Sequence, residues 1–153
     1  MFEEAIAILV EAEGEGSTRV ASAMDGFGRV LRQQGELDAA VDMHRKALAA
    51  WRAAVGNDHP DVGVSLMHIG YTLAAKEDWA EAAKVFDEAE AVLRRSIGDD
   101  HPQLIYVANS RATMLLKLDR AADAIPIVEN ALTLDAVKQV DPTLVAETQF
   151  ILA

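Results

Sequence analysis

The chain contains no cysteine, which excludes disulfide frameworks, zinc–thiolate sites and thiol nucleophiles. Aromatic residues supply only 5% of it, and its nine glycines and four prolines fall at a handful of places. No apolar run approaches the roughly 18 residues of a membrane span. No run of basic residues exceeds the pair Arg94–Arg95, so the basic patch expected of a nucleic-acid binder is missing. The apolar stretch within MFEEAIAILVEAEGEG is flanked by acids, with no basic region before it. It does not read as a signal peptide, and a cytoplasmic location is expected.

What is present is alanine and acid. The 153 residues, about one ordinary domain, are 51% hydrophobic with a formal net charge of −11. An alanine-rich, aromatic-poor composition suits close helix–helix packing better than sheets. The acidic balance disfavours anionic membranes and favours solubility and a partner with basic segments.

The segment VGNDHP at 55–60 returns as IGDDHP at 97–102, 42 positions on. Setting Thr18–His59 over Pro60–His101 aligns without a gap. Gly28 falls on Gly70, Leu31 on Leu73, Ala40 on Ala82 and Ala47 on Ala89. A third copy from Pro102 keeps Leu115, Ala124 and Ala131, has Ala112 in place of the glycine and loses two residues before Asp141–Pro142. Internal repetition of this length marks a stacked array.

Each copy reads as two helices. Val62, Leu66, Ile69 and Leu73 recur at helical spacing, as do Trp79, Ala82, Ala83, Phe86, Ala89 and Leu93. Gly56 and Gly98 stand where a left-handed (αL) residue ends a helix. Pro60, Pro102 and Pro142 stand where the first turn tolerates a missing N–H. Gly28, Gly70 and Ala112 are expected to let helix backbones approach closely. Arg111 occupies a position that is apolar as Phe27 and Ile69, and His44 the position of Phe86. A single pair cannot bury its apolar face, so neighbouring pairs must stack.

This small–large spacing resembles the tetratricopeptide repeat. The 42-residue period and the G-x-D-H-P joint are similar to the type found in kinesin light chains. The resemblance implies an all-α, right-handed solenoid of antiparallel helix pairs, about three repeats with half-repeats at both ends. The expected division of residues 1–153 is a second helix over 2–13, repeats over 18–59, 60–101 and 102–141, and a terminal helix over 142–153. Phe2, Ala5, Leu9 and Ala12 fit a second helix without its first. Leu144, Thr148, Ile151 and Leu152 fit a first helix without its second. The chain is therefore expected to be a fragment of a longer protein. The apolar stripes of its end helices, Phe2, Ile6 and Leu9 among them, suggest end-to-end association of copies.

Candidate chemistry is sparse. Asp58-His59 and Asp100-His101 would suit acid–base or metal dyads, but they recur with the repeat at helix starts, where polar side chains cap free N–H groups. They read as punctuation. His44 and His68 lie singly on different helices, with no H-x-x-x-H or H-E-x-x-H pattern, so no metal site is expected. No serine sits in a G-x-S-x-G context and no glycine-rich loop follows a strand. No cofactor and no catalytic residue are expected.

The resemblance also implies a concave groove lined by the first helices of the units. It assigns Asp25, Arg29 and Arg32 from the first, Val64, Met67 and Tyr71 from the second, and Tyr106, Asn109, Thr113 and Lys117 from the third. Tyr71 and Tyr106 are the only tyrosines, and tyrosine suits recognition. Of the paired asparagines by which kinesin light chains hold a ligand backbone, only Asn109 keeps the first, with Asp25 and Met67 standing elsewhere. The Lys and Asn of a carboxylate clamp are replaced by Asp25 and Arg29. The expected function is non-catalytic binding of a protein's peptide or helical segment in this groove, without nucleic acid or membrane. The alternative is a structural, regulatory or oligomerisation segment of a larger signalling protein.

Overall fold

A computed structural model of the chain describes residues 2–151, the side chains of 2, 3, 135 and 136 apart. Among the described residues there is no strand. The order is α1 (Phe2–Glu13), α2 (Thr18–Gln33), α3 (Leu37–Val55), α4 (Pro60–Ala75), α5 (Trp79–Ile97), α6 (Pro102–Lys117), α7 (Ala121–Leu132), a 3-10 helix (Asp135–Gln139) and α8 (Pro142–Phe150). Each helix from α2 to α7 packs on the next, while α2 also meets α4, and α6 meets α8.

The joints between pairs are built by histidine. The Nδ1 of His59 accepts the N–H of Asp61, and that of His101 accepts the N–H of Gln103, both at 3.2 Å. Each imidazole thus satisfies one of the orphan donors at a helix start, and the following proline takes a position needing no donor. Asp58 points elsewhere and pairs with Arg95 at 2.7 Å. The dyads are punctuation, with His rather than Asp as the cap. Gly56 and Gly98 depart from the expected αL cap. Their φ values of 83° and 85° are positive, but ψ lies at 175° and 174°, a region essentially reserved for glycine.

The αL residues stand instead inside each pair. Gly35, Glu77 and Asp119 have φ of 82°, 62° and 57°, and they occupy one repeat position. The next residue closes each turn: Glu36, Asp78 and Arg120 donate their N–H groups to the carbonyls of Leu31, Leu73 and Leu115 at 2.9–3.0 Å. This is the Schellman pattern.

Packing follows the repeated small residues. Ala40, Ala47, Ala82, Ala89, Ala124 and Ala131 are buried, with Leu31, Leu73 and Leu115 beside them. The glycines of the first helices do not simply bring backbones together. A Cβ on Gly70 would stand 2.8 Å from two ring carbons of Phe86, and one on Gly28 would stand 2.6–2.8 Å from the ring of His44. Gly28 and Gly70 are each a flat seat for a ring from the facing helix. In the third pair Ala112 and Val128, both fully buried, share one cluster: where the seat gains a methyl, the occupant shrinks.

Three departures from the repeat pattern have visible causes. Arg111 stays at a pattern-apolar position because Asp87 at 2.7 Å and Glu90 at 3.1 Å pair with its guanidinium. The third pair's second helix has 12 residues against 19 in α3 and α5, contains Pro126, and gives way to the 3-10 helix. In α1, Ala5 and Ala12 are exposed rather than inward: α3 and α5 are each held between two helices, whereas among the described residues α1 packs chiefly on α2. In α8, Thr148 is buried, Leu144 and Ile151 are half-buried, while Leu152, like the side chain of Phe2, lies outside the described residues.

Candidate functional site on the first-helix face

Two depressions run along the face made by α2, α4, α6 and α8. The first lies between α2 and α4, where Ser22, Asp25, Arg29, Val64 and His68 meet Trp51 and Asp61. The second lies between α6 and α8, where Asn109, Thr113 and Leu116 meet Ala146, Phe150 and Ile151. The residues assigned by the repeat pattern are thus split into two groups. Between them, Met67 and Tyr71 pack against the core. Tyr71 meets Phe86 edge-on with ring centroids 5.2 Å apart, and its hydroxyl lies 3.2 Å from that of Ser110. It is half core, half surface. Tyr106 is 41% exposed.

The two ends of this face differ chemically. At the α2 end, Arg29 and Arg32 make no ion pair among the described residues. At the α8 end, Leu116 is exposed and Phe150 is 81% exposed. Asn109 brings a buried Oδ1 with no hydrogen-bond partner. The Thr113 hydroxyl is occupied, donating to the Asn109 carbonyl at 2.8 Å. Lys117 places its ammonium 5.8 Å over the Trp79 ring, a cation–π contact. The repeat pattern places Leu116 on this face, but Phe150 was not among the assigned residues; it sits in the half-copy, which has no aligned partner helix.

Asp25 lines the first depression from below. It is 7% exposed, and its carboxylate is used inside the array. His44 Nδ1–H and Trp51 Nε1–H donate to Oδ1 and Oδ2, each at 2.9 Å. Ser65 Oγ–H donates to Oδ1 at 3.3 Å, and His68 Nδ1 stands 3.4 Å from the same oxygen. Burial alone would push this carboxyl up, yet the hydrogen bonds from His44 and Trp51 and the His68 imidazole beside it outweigh that and hold the pKa at about 2.

His44 and His68, single on their helices, are therefore neighbours, with ring centroids 5.4 Å apart. Spacing rules look for two ligands along one helix and cannot register a cluster drawn from three. The signal lay in the repeat alignment. Asp25, His44, Trp51, Ser65 and His68 stand where the next copy has Met67, Phe86, Leu93, Val107 and Ser110. One polar set replaces a mostly apolar one.

A family model for the tetratricopeptide repeat matches residues 1–53, 21–91 and 61–136. Among solved structures, the nearly identical TPR-like repeats of a kinesin light chain candidate from Podosopora anserina superpose with a TM-score of 0.81 at 15% identity, over 99% of this chain and 72% of that one. A single-substitution variant of it gives 0.82 at 16% identity, with the same coverage. BtubC (BKLC) from P. vanneervenii gives 0.81 at 18% identity, over 92% of this chain and 57% of that one. No curated protein matches the sequence.

Proposed function

As the chain belongs to the tetratricopeptide repeat family, whose members serve as protein-interaction scaffolds, we propose that it is a non-catalytic, cytoplasmic scaffold. It holds an extended or helical segment of a partner protein across its first-helix face. The observation that carries this reading is the polarity of that face. Exposed Tyr106, Leu116 and Phe150 offer apolar anchorage at one end, and Arg29 and Arg32 lie at the other without ion-pair partners among the described residues. Large apolar side chains at such density seldom stay bare on a soluble surface. The partner segment carries one or two large apolar anchors for the α6–α8 depression and an acidic residue toward Arg29. Anchors dominate such interfaces, and rim charges tune rate and salt dependence. No helix among the described residues is long and apolar enough to cross a membrane.

Peptides selected from a random display library against the chain test this. Selected sequences should share the apolar anchors, and Leu116→Asp should weaken them by at least ~2 kcal/mol, the scale of an interface hot spot. Tyr106→Ala should act in the same direction without loss of helicity. Arg29→Glu should weaken binding chiefly at low salt. Undiminished binding to Leu116→Asp and Tyr106→Ala would move the site off this face.

A second reading is favoured by Ile8 in α1 and Phe150 in α8, exposed by 66% and 81% at opposite ends of the array. It makes the end helices association surfaces for neighbouring helical segments or copies of the chain. Sedimentation of Ile8→Ser and Phe150→Ser variants against the parent chain separates this reading from groove binding.

A further inference from the structure

The buried polar cluster between the first two pairs has no counterpart required by the fold. One repeat further on, Met67 packs on the core while Phe86, Leu93 and Val107 are almost wholly buried, and the array stacks there with equal regularity. Polar groups at the first of these two interfaces are therefore not dictated by stacking. Burying a carboxylate and two imidazoles carries a desolvation cost that an apolar set avoids. The cluster is also incompletely satisfied. His44 is fully buried with no hydrogen-bond partner for Nε2, and His68 Nδ1 is buried without one.

We propose that Asp25, His44 and His68 form a binding site for a divalent transition-metal ion of the zinc class. One ligand atom from each lies within 4.8 Å of the others. The Asp25 Oδ1 stands 2.9 Å from His44 Nδ1 and 3.4 Å from His68 Nδ1. Donors bound to one ion at about 2.0–2.2 Å stand about 3 Å apart, so the two oxygen–nitrogen pairs already have that spacing, and the imidazoles, with ligand nitrogens within 4.8 Å, close the set by turning toward the ion. Two imidazoles and one carboxylate, with coordination positions left over, suit zinc, iron or nickel rather than magnesium or calcium. Binding through Nδ1 requires His44 to take its other neutral tautomer, with the proton moved from Nδ1 to Nε2. The outer shell is in place: Trp51 Nε1–H holds Oδ2 at 2.9 Å and orients the carboxylate, and Ser65 stands 3.3 Å from Oδ1. An ion reaches the site from the α2–α4 depression, which both Asp25 and His68 line.

The test uses the untagged chain, stripped with chelator and titrated calorimetrically with Zn²⁺. Co²⁺ serves as a probe whose visible bands report nitrogen–oxygen ligation. The site should take up one equivalent, and the melting temperature should rise with added Zn²⁺. His44→Phe and His68→Ser install the residues that the next repeat carries at these positions, Phe86 and Ser110, and should fold without binding the ion. Trp51→Phe should weaken binding by about 10–100-fold, the effect of losing an outer-shell partner. His101→Ala, away from the cluster, should bind as the parent does. Absence of stoichiometric uptake by the parent chain overturns the proposal. So does equal uptake by His44→Phe and His68→Ser, which would assign the ion to surface groups.

Discussion

Replacing Gly70 by alanine tests whether the first-helix glycines are seats for rings. The new Cβ would stand 2.8 Å from two carbons of the Phe86 ring and 3.0 Å from a third, closer than a Cβ tolerates. Phe86 is fully buried, so the ring has nowhere to turn. Overpacking costs ~1–3 kcal/mol, and the better helix propensity of alanine returns about 1 kcal/mol. The net expectation is destabilisation by ~0–2 kcal/mol. Phe86→Val alone opens a cavity over the glycine and should cost ~2–4 kcal/mol, somewhat below the range for truncation to alanine. The double variant reproduces the Ala112–Val128 pairing of the third unit. Its Cβ fills part of the space the ring leaves, so it should be more stable than the sum of the singles by ~1–2 kcal/mol, as for residues in direct contact. Urea unfolding of the four proteins, followed by far-UV circular dichroism, measures the coupling, provided the m-values agree. Additivity within ~0.5 kcal/mol would refute the seat. So would stabilisation of Gly70→Ala by the full ~1 kcal/mol of helix propensity.

Three further outcomes are expected. His101→Ala, which removes the cap on the Gln103 N–H, should cost ~0.5–2 kcal/mol in the same assay and change no activity. Glu77→Gly should stabilise by ~0.5–1 kcal/mol, because glycine bears no Cβ penalty at the positive φ of the α4–α5 turn; a destabilised variant would contradict the assigned turn. Asp25 links folding to acid. Its folded pKa of about 2 lies below the ordinary 3.8, so its contribution is fully present above pH 3.8 and lost as pH falls through about 2. The shift corresponds to ~2 kcal/mol. In chelator, stability against pH should fall across that window, and Asp25→Asn should flatten the fall; an unchanged slope would show that other carboxylates govern it.

The repeat was legible because its requirements are local. A glycine or alanine faces a ring or valine, a proline opens a first helix, and a histidine caps it; each leaves a residue type at a fixed offset. Helix pairing, pair boundaries and the capping role of His59 and His101 could all be read that way. The αL position at Gly35, Glu77 and Asp119 was missed because only one of the three is glycine, so composition does not mark it. The conspicuous Gly56 and Gly98 drew attention to a joint with different backbone geometry. Arg111 looked like a defect in the apolar stripe until Asp87 and Glu90, on the preceding helix, supplied its partners.

The face of the first helices was less legible, and Asp25 shows why. The repeat pattern fixes a residue's position on its helix but not how deep the neighbouring helices bury it. In the second unit the same position carries Met67, half-buried over the core. In the first, the cluster with His44, Trp51, Ser65 and His68 draws the Asp25 carboxylate inward. A substitution at one of these positions alone would leave the carboxylate short of a donor or an imidazole short of an acceptor, at some cost in stability. Five substitutions together leave a carboxylate with three donors and a nearby imidazole. Depth in a solenoid is thus decided between repeats, by residues about 20 and 40 positions apart that share no helix. Comparing copies position by position as sets, rather than reading each helix along its own period, is what exposes such a cluster.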